Sequence, residues 1–210
     1  DLESVDALID LYRQEERWPE LLDILQTRRE LAEDDYEINE YDVQIGDLLQ
    51  EKMDDPFGAL ERYREVLERE PENYLARGAL FRALTNPDLR TDAAELLVQA
   101  HRQGEEWDDL EALYERLIEL SIEDRPYLAE QYLALASLQT TYFDLPVKAF
   151  ATLSRAMRHV PENQAVREEL ERLAHEVGFT DDLIAIYDEA LQTEIDDPEG
   201  QLWALVHLLD

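Results

Sequence analysis

The chain reads as an all-α protein, an α-solenoid of about twelve antiparallel helices. Three observations predict this. Apolar residues recur three or four apart along almost the whole length, the spacing that gathers them on one helix face. No segment alternates apolar and polar residues between hairpin turns. The sequence also repeats itself: EERWPELLDILQTRREL (15–31) matches GEEWDDLEALYERLIEL (104–120), so Trp18 falls on Trp107 at an offset of 89 residues. Repeated helical units that stack in order make a solenoid. Across 210 residues, 45% are hydrophobic, enough for a core, which excludes a wholly disordered chain.

Helices are expected at 3–15, 18–32, 36–53, 56–69, 73–85 and 90–103, then at 106–121, 124–142, 146–159, 163–177, 181–194 and 197–209. LYRQ in the first recurs as AHRQ at 100–103. In 56–69, Phe57, Leu60, Tyr63, Val66 and Leu67 form one stripe, and in 106–121 Leu110, Leu113, Tyr114 and Leu117 form another. The breaks carry Asp55-Pro56, Glu70-Pro71, Asn86-Pro87, Val160-Pro161 and Asp197-Pro198, because proline suits a first helical turn and disfavours helix just before it. Thr91 and Thr180 are expected as N-caps, each followed by acidic residues. Loops are short, so neighbouring helices pack antiparallel.

A second match has an offset of 90: DDPFGALERYREVLEREPEN (54–73) falls on DLPVKAFATLSRAMRHVPEN (144–163). A third, shorter copy places DDLEALYERL (108–117) on DDLIAIYDEAL (181–191), an offset of 73. The offsets 89 and 73 differ by 16 residues, about one helix and a turn. The extra helix belongs between Asn73 and Arg102. Either helix there qualifies, since RGALFRAL (77–84) also resembles REELERLA (167–174).

The net charge is −33, with lysine only at Lys52 and Lys148 beside 17 arginines. Binding to nucleic acid or to an anionic membrane needs clustered basic residues, so neither is expected. A lysine-poor, carboxylate-rich surface fits a salt-rich cytoplasm, a GC-rich genome with a generic acidic surface, or a surface that seeks cations. There is no cysteine, hence no disulfide and no thiolate chemistry. Together with the lack of a signal-peptide pattern, this leads us to expect a cytoplasmic protein.

Segment 40–73 resembles a tetratricopeptide repeat. Ile45-Gly46 stands where that family places a large apolar residue before a small one, and Ala59, Tyr63, Val66 and Pro71 stand at its small, aromatic, small and proline positions. Segment 130–163 is similar, with Leu135-Ala136, Ala149, Leu153, Ala156 and Pro161. The first-helix tryptophan of the family is absent from both, and the remaining hairpins fit more loosely. The resemblance implies a right-handed superhelix over 1–210, a single repeat domain and a segment of a longer solenoid. It further implies a non-catalytic scaffold or adaptor that binds a protein or peptide along a concave face of first helices. The alternatives are a purely structural segment and a regulatory module of a larger multidomain enzyme, neither with a ligand of its own.

Carried onto this chain, the concave face would present Arg13, Gln14, Asp47, Glu51, Gln99, Arg102, Gln103, Thr140, Arg172 and His175. Acidic Glu40, Glu95, Glu130 and Glu168 lie among them, so the expected partner is basic or mixed in charge. The version of the family that clamps chaperone C-termini uses lysine, asparagine and arginine at such positions, and that activity is not expected. No cofactor, metal or catalytic residue is expected. His101, His159, His175 and His207 form no ligand pair. The acidic pairs Asp34-Asp35, Asp54-Asp55, Asp108-Asp109 and Asp181-Asp182 sit at helix starts, where capping explains them. In the last expected helix, Leu202, Trp203, Val206 and Leu209 would be exposed unless another helix covers them or the chain self-associates there.

Overall fold

The computed structural model describes residues 2–193. Among the described residues there are eleven α-helices: α1 (Leu2–Gln14), α2 (Trp18–Glu30), α3 (Asp35–Lys52), α4 (Pro56–Arg69), α5 (Tyr74–Ala83), α6 (Pro87–Gln103), α7 (Trp107–Leu120), α8 (Arg125–Thr141), α9 (Pro146–Ala156), α10 (Gln164–Val177) and α11 (Thr180–Thr193). The twelfth expected helix, with Trp203 and His207, lies outside the described residues. None of the described helices is long and apolar enough to cross a membrane.

The chain forms two compact units, Asp1–Glu106 and Trp107–Asp210. In the first, consecutive helices pack on one another from α1 to α6, while α3 also touches α5 and α4 touches α6. Consecutive packing over short loops makes two antiparallel rows, α1, α3 and α5 in one and α2, α4 and α6 in the other. In the second unit α7 packs on α8, α8 on α9 and α10, α9 on α10, and α10 on α11.

The helix starts follow from side-chain chemistry. Asp34, Asp55, Asn73, Asn86, Asp124 and Asn163 each accept a backbone N–H two or three residues on, at 2.9–3.3 Å. Proline occupies the first turn of α2, α4, α6, α8 and α9. Two expectations shift here. Thr91 is not an N-cap but lies inside α6, which starts three residues earlier because Asn86 caps and Pro87 fits the first turn. Thr180 is itself the first residue of α11.

The core follows the apolar stripes. Ile45, Tyr63, Val66, Ala79, Leu80 and Leu97 are fully enclosed in the first unit, as are Leu110, Leu117, Leu135, Leu153 and Leu170 in the second. A buried side chain of this size contributes roughly 1.5–3 kcal/mol. Among the described side chains of α1 only Ile9 is buried, while Leu8 and Leu11 are exposed. This helix is therefore the lightest-held element of its unit.

The turns bring out the repeat. After α1, Glu16 takes a left-handed φ of 53° and the Arg17 amide donates to the Tyr12 carbonyl. After α6, Glu105 has the same φ and Glu106 donates to His101. After α10 the residue is Gly178, φ 79°, and Phe179 donates to Ala174. These spacings are the 89 and 73 residues of the sequence matches. A second turn joins α3 to α4 and α8 to α9, with Asp54 and Asp144 at φ 54° and 55°. A third follows α4 and α9: Arg77 and Arg167 donate back to the Pro71 and Pro161 carbonyls, and Asn73 and Asn163 cap the next helix.

These turns show how the extra helix is accommodated. α5 keeps the start of α10, with its Pro-Glu-Asn turn and back-reaching arginine. α6 keeps the end of α10, with its left-handed turn. One helix of the repeat is thus represented by two, and neither alone is the insertion.

Candidate functional site

Helices α1, α2 and α3 leave an open cleft of 290 Å³, lined by Arg13, Trp18, Leu21, Leu25, Gln44, Asp47, Leu48, Glu51 and Lys52. Gln44, Asp47 and Glu51 fall three or four apart on α3 and so share a face. Leu21, Leu25 and Leu48 are buried beneath it. Trp18 opens α2, and the Lys52 ammonium stands over its ring, 5.4 Å from the centroid. Arg13 donates to Gln44 across 3.2 Å.

Asp47 is held in place. The Tyr63 hydroxyl donates to its Oδ1 at 2.8 Å, and Arg82 lies 3.8 Å from the same oxygen. Burial pushes the Tyr63 phenol far above its usual pKa, and the bond to Asp47 adds to the shift. Tyr63 therefore remains a donor to Asp47, which lines the cleft.

Three of the residues read from sequence, Arg13, Asp47 and Glu51, are thus brought together in one cleft. Gln14 is exposed at the end of α1. Gln99 and Gln103 meet Arg64, Leu67 and Glu68 of α4 instead. Arg102 is exposed on the same helix, α6. The repeated pair Arg13-Gln14 and Arg102-Gln103 consequently falls on opposite rows of the first unit, because the extra helix moves α6 into the row of α4. In the second unit, the Thr140 hydroxyl donates to its own helix, at Ala136 and Ser137. Arg172 is exposed and paired with Glu169 and Glu176, each at 2.7 Å. His175 is exposed on α10.

Sequence reasoning missed Trp18 and Lys52 as a pair, and it missed a buried polar cluster. Asp42 is fully buried in α3. Its carboxylate accepts from Arg29 at 2.5 Å and from Arg69, with Arg62 3.7 Å away. Glu65 accepts from Arg29 and Arg62, and Asn39 accepts from Arg69. The bond to Asp42 is the main reason the Arg29 pKa is raised. The signal was available: Asn39 and Asp42, three apart, interrupt the face that carries Ile45, in a chain with few cations. The cluster is closed by its own partners, so it is a structural network. His101 is likewise a packing group, buried with Nδ1 2.8 Å from Glu106.

In the second unit Trp107, the counterpart of Trp18, is covered differently. Tyr142 stacks on it with centroids 3.8 Å apart. Tyr142 takes the place of Lys52, Ser137 that of Asp47 and Thr141 that of Glu51.

No protein-family model matches the sequence, and no curated protein does. Among solved structures the chain is similar to the crystal structure of the P58(IPK) TPR domain, with 18% identity and a TM-score of 0.36. The match covers 99% of this chain and 56% of the length of that one. The all-α helical repeat described above stands on the chain's own packing and recurring turns.

Proposed function

We propose that the protein is a non-catalytic interaction scaffold that binds a basic or mixed-charge segment of a protein partner, with the cleft between α1, α2 and α3 as its contact. One observation carries this reading. The Trp18 ring lines the cleft beside two same-face carboxylates, Asp47 and Glu51. Apolar anchors supply most affinity at such contacts, while charge sets partner choice and association rate. A net charge of −33 favours approach of a cationic segment. The absence of cysteine supports a reducing, cytoplasmic setting.

The test is titration of the full chain with basic, mixed-charge and acidic peptides, repeated on Asp47→Lys plus Glu51→Lys with folding checked by circular dichroism. The basic and mixed-charge peptides should bind, and the double variant should weaken them about tenfold or more, since each reversed charge facing a cation costs on the order of 1 kcal/mol. Unchanged affinity would move the site elsewhere. Tighter binding of acidic peptides to the unaltered protein would reverse the sign of the charge argument.

A further inference from the structure

The cleft already contains a cation of the protein's own. Lys52 ends α3 and places its ammonium over the face of Trp18. Lys52 is exposed and makes no ion pair among the described residues. Glu51, one residue earlier, also has no ion pair among them. On Asp47, which lines the cleft, Tyr63 and Arg82 both address Oδ1. A cation-accepting ring, a carboxylate contacted at one oxygen and an unpaired one therefore line the same cleft as this lysine.

Resting on the scaffold reading above, we propose that the cleft is a seat for the guanidinium of an arginine in the partner segment, and that Lys52 holds this seat until the arginine displaces it. The chemistry favours the exchange. An ammonium is a compact, strongly hydrated charge, whereas a guanidinium is planar, less hydrated, stacks on an indole and forks onto carboxylates. Asp47 and Glu51, one turn apart, suit that fork, while Trp18 takes the stack. A cleft of 290 Å³ is at the small end for ligand sites, which fits one long side chain. Arg13, which donates to Gln44, repels a second cation close by and favours a carbonyl or carboxylate there. The expected occupant is thus an arginine with a neutral or acidic neighbour.

The probes are blocked Gly-Ser-X-Ser-Gly peptides in which X is arginine, lysine or citrulline. Binding to the full chain is followed by the indole N–H resonance of Trp18. The arginine peptide should shift this resonance saturably, the lysine peptide less, and the uncharged citrulline peptide not at all. Lys52→Ala should tighten arginine-peptide binding about two- to fivefold, the effect of removing one competing exposed cation–π contact. Lys52→Met, which keeps the stem and drops the charge, should do the same. Asp47→Asn plus Glu51→Gln should weaken it. Equal binding of citrulline and arginine, or no gain in either Lys52 variant, would overturn the proposal. If basic segments still bind in a manner that depends on Asp47 and Glu51, the scaffold reading survives that failure. If no basic peptide moves Trp18 at all, both fall.

Discussion

The stretch from Trp18 to Asn73 and the stretch from Trp107 to Asn163 are two versions of one design with different polar interiors. They share turn geometry, cap positions and an apolar spine. They differ where the spine is interrupted. The first version buries Asp42 among Arg29, Arg62 and Arg69. At the same positions the second has Tyr132, Ile118, Thr152 and His159. There Tyr132 is buried, the His159 ring stacks 6.3 Å from it, and Arg155 lies over its face. The second version puts its polar contact elsewhere: buried Gln139 donates to Glu111 and accepts from Thr152. In the first version those places hold Leu49, Leu22 and Arg62. The lesson is that backbone repeat and core chemistry are separable. Turns and caps specify the hairpin, and the interior can be ionic or aromatic.

The largest effect is expected from breaking the ionic interior. Asp42→Ala leaves three guanidiniums around an empty place and should cost about 3 kcal/mol or more, the usual result of removing one partner from a buried charge network. Importing the other version as a set (Arg29→Ile, Asp42→Tyr, Arg62→Thr and Arg69→His) should recover most of that loss, because a packed apolar substitute is often as stable. Urea unfolding of both proteins measures this. A loss under 1 kcal/mol in the single variant would show that Asp42 is not the keystone of the cluster.

A smaller, global effect concerns charge. Repulsion among −33 charges should make the melting temperature rise between low and molar salt, as the Debye length falls from about 30 Å at 0.01 M to about 3 Å at 1 M. A gain that persists above 1 M would favour adaptation to a salt-rich cytoplasm. Acidification through the carboxylate range should destabilise the protein. Burial pushes Glu106 upward, but hydrogen bonds from Arg77 and His101 outweigh it and hold its pKa below the usual 4.5. The Arg155 hydrogen bond holds Glu115 low in the same way. Depressed carboxylates stabilise above their unfolded pKa, and that contribution disappears as pH falls through the folded value. A melting temperature that holds or rises as the pH drops through the carboxylate range would contradict this.

The smallest effect compares the three copies of the left-handed turn. Only the third uses glycine, at Gly178. A side chain there costs on the order of 1 kcal/mol. Glu16→Gly and Glu105→Gly should each stabilise by up to about 1 kcal/mol, and Gly178→Glu should destabilise by a similar amount. Nothing stands within 4 Å of a Cβ built on Gly178, so any loss reports backbone strain and not crowding. Thermal melts that rank these variants otherwise would mean that local contacts of the glutamates outweigh the strain.

The helices, their order and the repeat were legible because apolar spacing, proline and capping residues act locally. Close packing was legible as well. Gly46 admits Tyr63, whose ring a Cβ would meet at 2.7 Å, and at the matching positions Ala136 and Leu153 are both fully buried. Part of the site was legible too, since Asp47 and Glu51 share a helical face and Arg13 precedes the same hairpin. What stayed hidden depends on which elements become neighbours. Lys52 meets Trp18 from 34 positions away, and Arg69 reaches Asp42 from the next helix. Gln99 and Gln103 left the expected face because one added helix changes rows, which no local signal records.

That added helix has a directional consequence. In an up-and-down array, inserting an even number of helices preserves the heading of everything after it, and inserting an odd number reverses it. The left-handed turn after α1 and its twin after α6 thus close off opposite ends of the first unit, one at the top and one at the bottom. The same turn thus stands at both ends of the first unit, although the sequence repeat that carries it runs in one direction.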